Sequence, residues 1–267
     1  MEYRYAHFQS ELMQEDSSFV RGPRPGEPFP DFDLPTTDGD RVSKQDLVGR
    51  RPLLVTFSSI TCPMTADASS VLRPLYDEFH DQVSFLSLYV REAHPGEIFP
   101  QPDSMEEKMQ HARQYEQRDM IPWTVAVDEI DGGLHQTLDP KPNAAYLIGT
   151  DGRVFARVLW SNDGSSLRQA LQAIVQGQPL DDPERTSKSI PMFRAIGTMD
   201  DVLGASGSQA RRDLRQALPP VYAIARLASL YRPLSPPARS AAAVATGVLA
   251  LGLIGFAGWS LLHNSRR

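Results

Sequence analysis

The sequence predicts a layered α/β domain in which strands and helices alternate, followed by helices that continue towards the C-terminus. Three observations support this fold class. Residues 52–57 (PLLVTF) and 83–90 (VSFLSLYV) are short, mostly apolar runs, as expected of strands covered on both faces. Residues 63–79, between them, place apolar side chains near helical spacing after a proline suited to a first helical turn. This order over so short a stretch indicates a parallel crossover unit.

The remaining elements complete one domain of ordinary size. The proline-rich stretch 23–35 and the turn residues after it predict an entry strand and a hairpin. Beyond the second strand the pattern predicts a helix over 105–119, a strand over 123–127, a short helix over 131–138, a hairpin of 144–148 with 154–160, and a helix over 165–176. Asp151-Gly152 is the tight turn of that hairpin. This order is typical of a thioredoxin-like fold with an N-terminal hairpin.

The chain divides into five segments. They are an N-terminal extension over residues 1–22, the thioredoxin-like domain over 23–178, a proline-rich helical connector over 179–240, an apolar helix over 241–262 and a short tail over 263–267. Three arrangements of the connector stay open. It forms a small packed helical unit, lies at a membrane surface, or is a solvated linker.

The segment 241–262 contains 22 consecutive uncharged residues, AAAVATGVLALGLIGFAGWSLL. As a helix it would span roughly 30 Å, the thickness of the hydrocarbon core of a bilayer. We therefore expect a single-pass C-terminal transmembrane helix that anchors the chain to a membrane, with the catalytic domain on the cytoplasmic side. Small residues such as Ala243 and Gly247 would let this helix pair, which predicts a homodimer.

Composition narrows the classes of function. The 33 acidic and 27 basic residues give a net charge of −6 without a long basic run, so nucleic acid is not an expected partner. The first thirty residues contain no apolar run of the length found in secretory signals. Cys62 is the single cysteine, which excludes an internal disulfide and multi-cysteine metal sites. We expect no bound metal or cofactor, and redox chemistry limited to one thiol.

Cys62 lies where a predicted buried strand delivers the chain to a helix that begins at Pro63. The amide groups and dipole of a helix N-terminus favour an anion, so a thiol there ionises more readily than an ordinary one. Ser59, Thr61 and Thr65 carry hydroxyl groups that could donate to a thiolate. The alternative is that Cys62 is a small buried apolar residue. Its position favours a reactive nucleophile.

Two separated motifs resemble the iodothyronine deiodinase family. Its active-site segment has the form F-x-S-x-T-U-P, in which U is selenocysteine. The residues that match this segment are Phe57, Ser59, Thr61, Cys62 and Pro63. A later E-A-H motif is matched by residues 92–94, and the resemblance covers residues 28–163. It implies that Cys62 takes the selenocysteine position as attacking nucleophile. It also implies that Glu92 and His94 line the active site, His94 as proton donor or substrate contact.

The resemblance implies a reductive dehalogenase whose small-molecule electrophile is a halogenated aromatic. Because the chain has no second cysteine, an external thiol reductant must restore Cys62. One alternative is a one-cysteine peroxiredoxin-like peroxidase with peroxide as its electrophile. The peroxiredoxin pattern P-x-x-x-T-x-x-C would require proline at Val55 and threonine at Ser59, and Arg153 or Arg157 would orient the peroxide. The other alternative is a non-catalytic thioredoxin-fold binding module.

Three further features lie between the second motif and the last hairpin. Pro142 and Asn143 stand near the place where thioredoxin-like proteins carry a cis-proline that faces the active cysteine, so Pro142 is a candidate wall of the site. The acidic residues within 128–131 are interpreted as a solvated loop, because the paired glycines beside them weaken any helix that would align metal ligands. His135 follows this loop, and its context matches no motif of the family.

Overall fold

The structure is a computed structural model that describes residues 3–15 and 17–264. Its helices are α1 Ser10–Glu15, α2 Lys44–Leu47, α3 Pro63–Phe79, α4 Met105–Asp119, α5 Gly133–Thr137, α6 Gly164–Val175, α7 Ser189–Ser206, α8 Ser208–Ala217, α9 Pro219–Ala228 and α10 Pro236–Asn264. Its strands are β1 Asp33–Pro35, β2 Arg41–Ser43, β3 Leu53–Ser58, β4 Ser84–Tyr89, β5 Thr124–Val127, β6 Ala145–Ile148, β7 Val154–Val158 and β8 Glu184–Arg185.

The central sheet has the strand order β5-β4-β3-β6-β7-β8. Strands β3, β4 and β5 run parallel, and the β6–β7 hairpin adds antiparallel to β3. A crossover helix, α3, joins β3 to β4, as the sequence predicts. This β3-α3-β4 unit, extended by an antiparallel hairpin and α6, is the α/β thioredoxin-like arrangement. Ser58 pairs with Tyr89, so the loops that leave β3 and β4 start side by side at one sheet edge.

Each face of the sheet is covered by an apolar layer. Side chains of β3 alternate between the two layers, as the period of two in a strand requires. Val55 and Phe57 pack with Phe29 in the layer next to the β1–β2 hairpin. Leu54 packs with Leu72 of α3 in the opposite layer. Every residue of β3 is buried, which explains why most of this stretch of the sequence is apolar.

The region after α6 is a packed helical unit, which decides among the three arrangements left open for the connector. We name residues 189–228, which form α7 to α9, the helical cap. The buried carboxylate of Asp67 in α3 accepts from Arg194 Nε at 2.9 Å and from Arg194 Nη2 at 3.2 Å. Thr198 Oγ1 donates to the carbonyl of Pro63 at 3.0 Å. The helical cap is therefore fixed to the N-terminal part of α3, and it is not a solvated linker.

The prediction of a transmembrane helix over 241–262 is wrong. Among the described residues, no helix combines the length and the apolar character needed to cross a membrane. The start of the predicted span belongs to α10 and is partly covered by the rest of the chain. Ala243 is fully buried, as is Ser240 just before the span, and the hydroxyl groups of Tyr231 and Thr246 are 2.6 Å apart. Val248 and Leu249 are exposed. The predicted membrane partner and the membrane localisation rested on this helix and are corrected with it.

The predicted homodimer rested on the same helix. Ala243, one of the small residues offered for pairing, is buried within the chain itself. Residues 265–267 of the predicted tail lie outside the described residues, as do residues 1, 2 and 16 of the predicted N-terminal extension.

Candidate active site

Cys62 is the residue that precedes the first turn of α3, and its backbone is extended, with φ −94° and ψ 117°. Pro63 occupies the first turn, where its missing N–H leaves no bond unmade. The side chain of Cys62 is buried, and no acidic residue lies in the first turn of α3. A thiolate at this position would lie at the positive end of the helix dipole without a competing carboxylate in that turn.

Glu92, in the loop after β4, is the centre of a buried hydrogen-bond network. Its Oε2 atom accepts from Ser59 Oγ at 2.8 Å and from Thr61 Oγ1 at 2.7 Å. Its Oε1 atom accepts from Tyr89 OH at 2.5 Å and lies 3.1 Å from His111 Nδ1. Burial, with the charge of Glu92 second, raises the pKa of Tyr89 well above its ordinary value. The network therefore gathers three hydroxyl groups and an imidazole on one buried carboxylate.

The hydroxyl groups of Ser59 and Thr61 join the two loops of the site. Thr61 Oγ1 accepts from the amides of Ala93 at 3.0 Å and His94 at 3.2 Å. Both hydroxyl groups also bond to Glu92, in the loop after β4. They therefore hold the loop of Cys62 against the E-A-H loop. That they donate to a Cys62 thiolate stays a prediction.

Thr65 and Asn143 fix the other side of the cysteine loop. Asn143 Nδ2 donates to Thr65 Oγ1 at 3.0 Å and to the carbonyl of Phe57 at 3.3 Å. Its Oδ1 atom accepts from Ser161. Asn143 is fully buried, so it ties the end of β3, α3 and the end of β7 together at the base of the site. No cis peptide bond occurs among the described residues, and Pro142 lines a cavity together with Cys62.

His94 also lines this cavity, with its ring against that of Phe8 at a centroid distance of 4.3 Å. Its Nδ1 atom is buried and has no hydrogen-bond partner. Burial lowers the pKa of His94 to about 4, because the imidazolium form would lose its hydration. The imidazole is therefore neutral near pH 7. That state suits a substrate contact better than an imidazolium proton donor.

The loop that carries His94 also holds the helical cap. Glu97 accepts from the amides of Ser208 and Gln209 and from the Ser208 hydroxyl, at 2.6 to 2.8 Å. These hydrogen bonds, led by that of the hydroxyl, lower the pKa of Glu97 to about 2. Gly96 is required for this approach, since a Cβ atom there would lie 2.2 Å from the carbonyl oxygen of Ser206.

The cavity beside Cys62 has a volume of about 300 Å³ and lies between the thioredoxin-like domain and the helical cap. Its walls are apolar side chains, with Trp160 at the end of β7 and Tyr5 and Phe8 from the N-terminal segment. Met192 and Phe193 of α7 line it and are 36% exposed, so they mark its mouth. Among the described side chains that line it, none is Asp, Glu, Lys or Arg.

The acidic residues within 128–131 and His135 lie apart from the cavity. Asp128 is fully buried and accepts from the amides of Glu129, Leu134 and His135, so the interpretation of a solvated loop is wrong for this residue. His135 is buried away from the cavity, and its Nε2 atom lies 2.7 Å from the carbonyl of Lys141. Within residues 3–15 and 17–264, no group of three His, Cys, Asp or Glu residues is placed to hold a metal ion.

His111 and Tyr89 belong to the network, and the sequence reasoning did not find them. Tyr89 lies in an apolar run, and the pattern of that run predicts a strand without indicating a role for its tyrosine. A signal for His111 exists in α4, whose sequence is mostly polar. The buried residues Lys108, His111, Ala112 and Tyr115 follow helical spacing, which marks one inward face. A histidine on that face points towards the E-A-H loop.

The sequence profile of the family described as iodothyronine deiodinase matches residues 6–145, just over half of the chain. The chain belongs to the iodothyronine deiodinase family. The cysteine loop, the E-A-H loop and α4 all lie inside the matched region, whereas Trp160 and the helical cap lie outside it.

Individual deiodinases are distant from this family member. Human thyroxine 5-deiodinase is 30% identical over 112 residues, which cover 37% of this chain and 36% of the human protein. The rat protein of the same name is 28% identical over 110 residues, with the same shares covered. The thioredoxin domain of a thiol-disulfide oxidoreductase from Bacteroides vulgatus is a solved structure with 16% identity and a TM-score of 0.44, covering 55% of this chain and 98% of that one. The match thus spans about a third of the length of these deiodinases.

Membership of this family, although the individual deiodinases are distant, indicates that the chain is an oxidoreductase. An oxidoreductase activity agrees with a thioredoxin-like domain whose one cysteine lies at a helix N-terminus.

Proposed function

We propose that this deiodinase-family chain is a thiol oxidoreductase in which Cys62 removes the halogen from a halogenated aromatic substrate. The observation that carries the proposal is the position of Cys62 between the N-terminus of α3 and an apolar cavity. The helix end favours the thiolate, and the cavity offers a water-poor place for an aromatic ring. The family match supports the class of reaction.

The reaction balances with one proton and two external thiols. The Cys62 thiolate attacks the halogen, so that an S–halogen bond forms, the C–halogen bond breaks and the ring carbon takes up a proton. An external thiol then attacks the Cys62 sulfur and releases halide, which leaves a mixed disulfide. A second thiol reduces this disulfide and restores the Cys62 thiol. The external thiols supply both electrons, and the cysteine carries the intermediate oxidation state.

The buried network has a positioning role in this proposal. Hydrogen bonds join His111 to Glu92 and Glu92 to the hydroxyl groups of Ser59 and Thr61, in the loop that ends at Cys62. These four residues do not line the cavity, so the proton that the ring carbon takes up comes from solvent at the mouth of the cavity. Glu92 holds the two loops together, and Cys62 is the catalytic nucleophile.

The peroxidase alternative receives less support from the geometry. A peroxide-reducing thiol needs a cation near the sulfur to polarise the O–O bond. Arg153 donates to the carbonyl of Gly26, and Arg157 is paired with Glu184 at 2.5 Å. Neither arginine lines the cavity that contains Cys62.

The test measures halide and peroxide turnover in parallel on the full chain. With 4-iodophenol and excess dithiothreitol, we expect iodide release that Cys62→Ser abolishes. Thr137→Ala, at an exposed site away from the cavity, serves as the matched control and should retain the rate. Peroxide consumption without iodide release would replace the proposal by the peroxidase. Absence of both, together with slow alkylation of Cys62 at neutral pH, would favour a binding module.

A further inference from the structure

Part of the cavity lies outside the family region. The match to the deiodinase family ends at residue 145, while Trp160 and the helical cap follow it. Leu214, Leu218 and Val221 of the helical cap complete the wall opposite the cysteine loop. Membership of the family therefore covers only part of the ligand site, and the choice among ligands must be inferred from the whole cavity.

The walls of the cavity disfavour a charged ligand. The described side chains that line it include no cation and no anion, and His94 is neutral at pH 7. A carboxylate or ammonium group that entered would lose its hydration without gaining a charged partner. The volume of about 300 Å³ lies at the lower end of small-molecule sites, which suits a single aromatic ring with a large substituent.

One residue that lines the cavity carries a buried donor without an acceptor. Trp160 is 5% exposed, and its Nε1–H group is buried without a hydrogen-bond partner. An indole N–H is a donor only, and leaving it unsatisfied in an apolar surrounding is unfavourable. His94, which also lines the cavity, has a buried Nδ1 atom without a partner. A ligand hydroxyl group can accept from the indole, which a hydrocarbon ligand cannot do.

We propose that the cavity selects an uncharged, single-ring halogenated phenol whose hydroxyl accepts a hydrogen bond from Trp160, over halogenated aromatics that carry a carboxylate or an amino-acid group. This selection rests on the proposed function, because it names the substrate class of the same site. It assigns Trp160 as a specificity-determining residue beyond the family region.

Binding to the full chain with Cys62→Ser separates selection from chemistry. Isothermal titration calorimetry at pH 7 compares three probes that share one halogen: 4-iodophenol, 4-iodobenzoate and iodobenzene. We expect 4-iodophenol to bind and 4-iodobenzoate to bind at least tenfold more weakly. Equal affinities for these two probes, or tighter binding of the benzoate, would overturn the proposal.

Two further variants, each made in the same background, test the role of each wall. Trp160→Phe should weaken 4-iodophenol about tenfold, the effect of one hydrogen bond, and leave iodobenzene unchanged. Trp123→Phe is the matched control, since Trp123 donates to Ser87 in the core away from the cavity. Phe193→Lys adds a cation at the mouth and should improve 4-iodobenzoate binding. Loss of iodobenzene binding in Trp160→Phe, or unchanged 4-iodophenol binding, would contradict the assignment.

Failure of the proposed function gives a different result. If the unmodified chain binds 4-iodophenol selectively but releases no iodide, the chemistry is wrong and the selection stands. If it releases iodide equally well from 4-iodobenzoate, the chemistry stands and the selection is wrong.

Discussion

Replacing Thr61 by valine removes one hydroxyl group from the junction of the two active-site loops and keeps the shape of the side chain. Thr61 Oγ1 donates to Glu92 at 2.7 Å and accepts from the amides of Ala93 and His94. All of these atoms belong to buried or partly buried residues, so water cannot replace the lost hydroxyl without opening the site.

The size of the effect follows from these contacts. A hydrogen bond to a charged group contributes about 1.5–3 kcal/mol, and a buried N–H left without an acceptor costs about 1–3 kcal/mol. The amide of Ala93 retains Ser59 Oγ at 3.2 Å, so the amide of His94 is the group that loses its acceptor. We expect Thr61→Val to lower the free energy of unfolding by roughly 3–4 kcal/mol. Thr61→Ser keeps the hydroxyl and loses one methyl group, at about 1 kcal/mol.

Urea unfolding of the full chain, followed by circular dichroism, measures the three proteins side by side. The alkylation rate of Cys62 is recorded on the same samples, because a loosened junction exposes the thiol. A free energy for Thr61→Val within about 1 kcal/mol of that for Thr61→Ser would refute the argument that the hydroxyl carries the junction.

Two further predictions concern the E-A-H loop. Gly96→Ala should detach the helical cap, because the added Cβ would lie 2.2 Å from the Ser206 carbonyl oxygen. Limited proteolysis should then cut within residues 189–228, and a cleavage pattern identical to that of the unmodified chain would contradict the packing. His94 has a pKa of about 4 in the folded chain against an ordinary 6.5, so the free energy of unfolding should fall as pH drops from 6.5 towards 4, by at most about 3 kcal/mol. Buried His135 acts in the same direction, so His94→Gln should flatten the profile without abolishing it.

Elements that depend on local sequence could be predicted. The strand, helix, strand order and the β6–β7 hairpin follow from apolar runs and from Asp151-Gly152, where Gly152 adopts φ +77°. Cys62 and Glu92 could be placed near each other because parallel strands bring their following loops to one edge. Such inferences need only the direction of a strand and the residue type at its end.

The rest depends on contacts between distant segments. The helical spacing in α4 places His111 on an inward face, but the sequence does not say that its ring meets Glu92, because the two are joined by the packing of α4 on the sheet. Likewise, the apolar run 241–262 predicts a lipid-facing helix, because hydropathy reports that a side chain avoids water and not what covers it. In the structure Ala243 of that run is buried within the same chain, and Thr246 contacts Tyr231.

The residues around the nucleophile and the residues of the opposite cavity wall come from different parts of the chain. The cysteine loop, Glu92 and His111 lie within the stretch shared with the deiodinase family, and they form one buried network around the nucleophile. Trp160 and the helical cap lie beyond that stretch and make the opposite wall of the cavity. Because the two walls come from different parts of the chain, the relationship to deiodinases bears on how Cys62 reacts. Which aromatic compound reaches Cys62 depends also on the wall outside that stretch, and that has to be measured on this cavity.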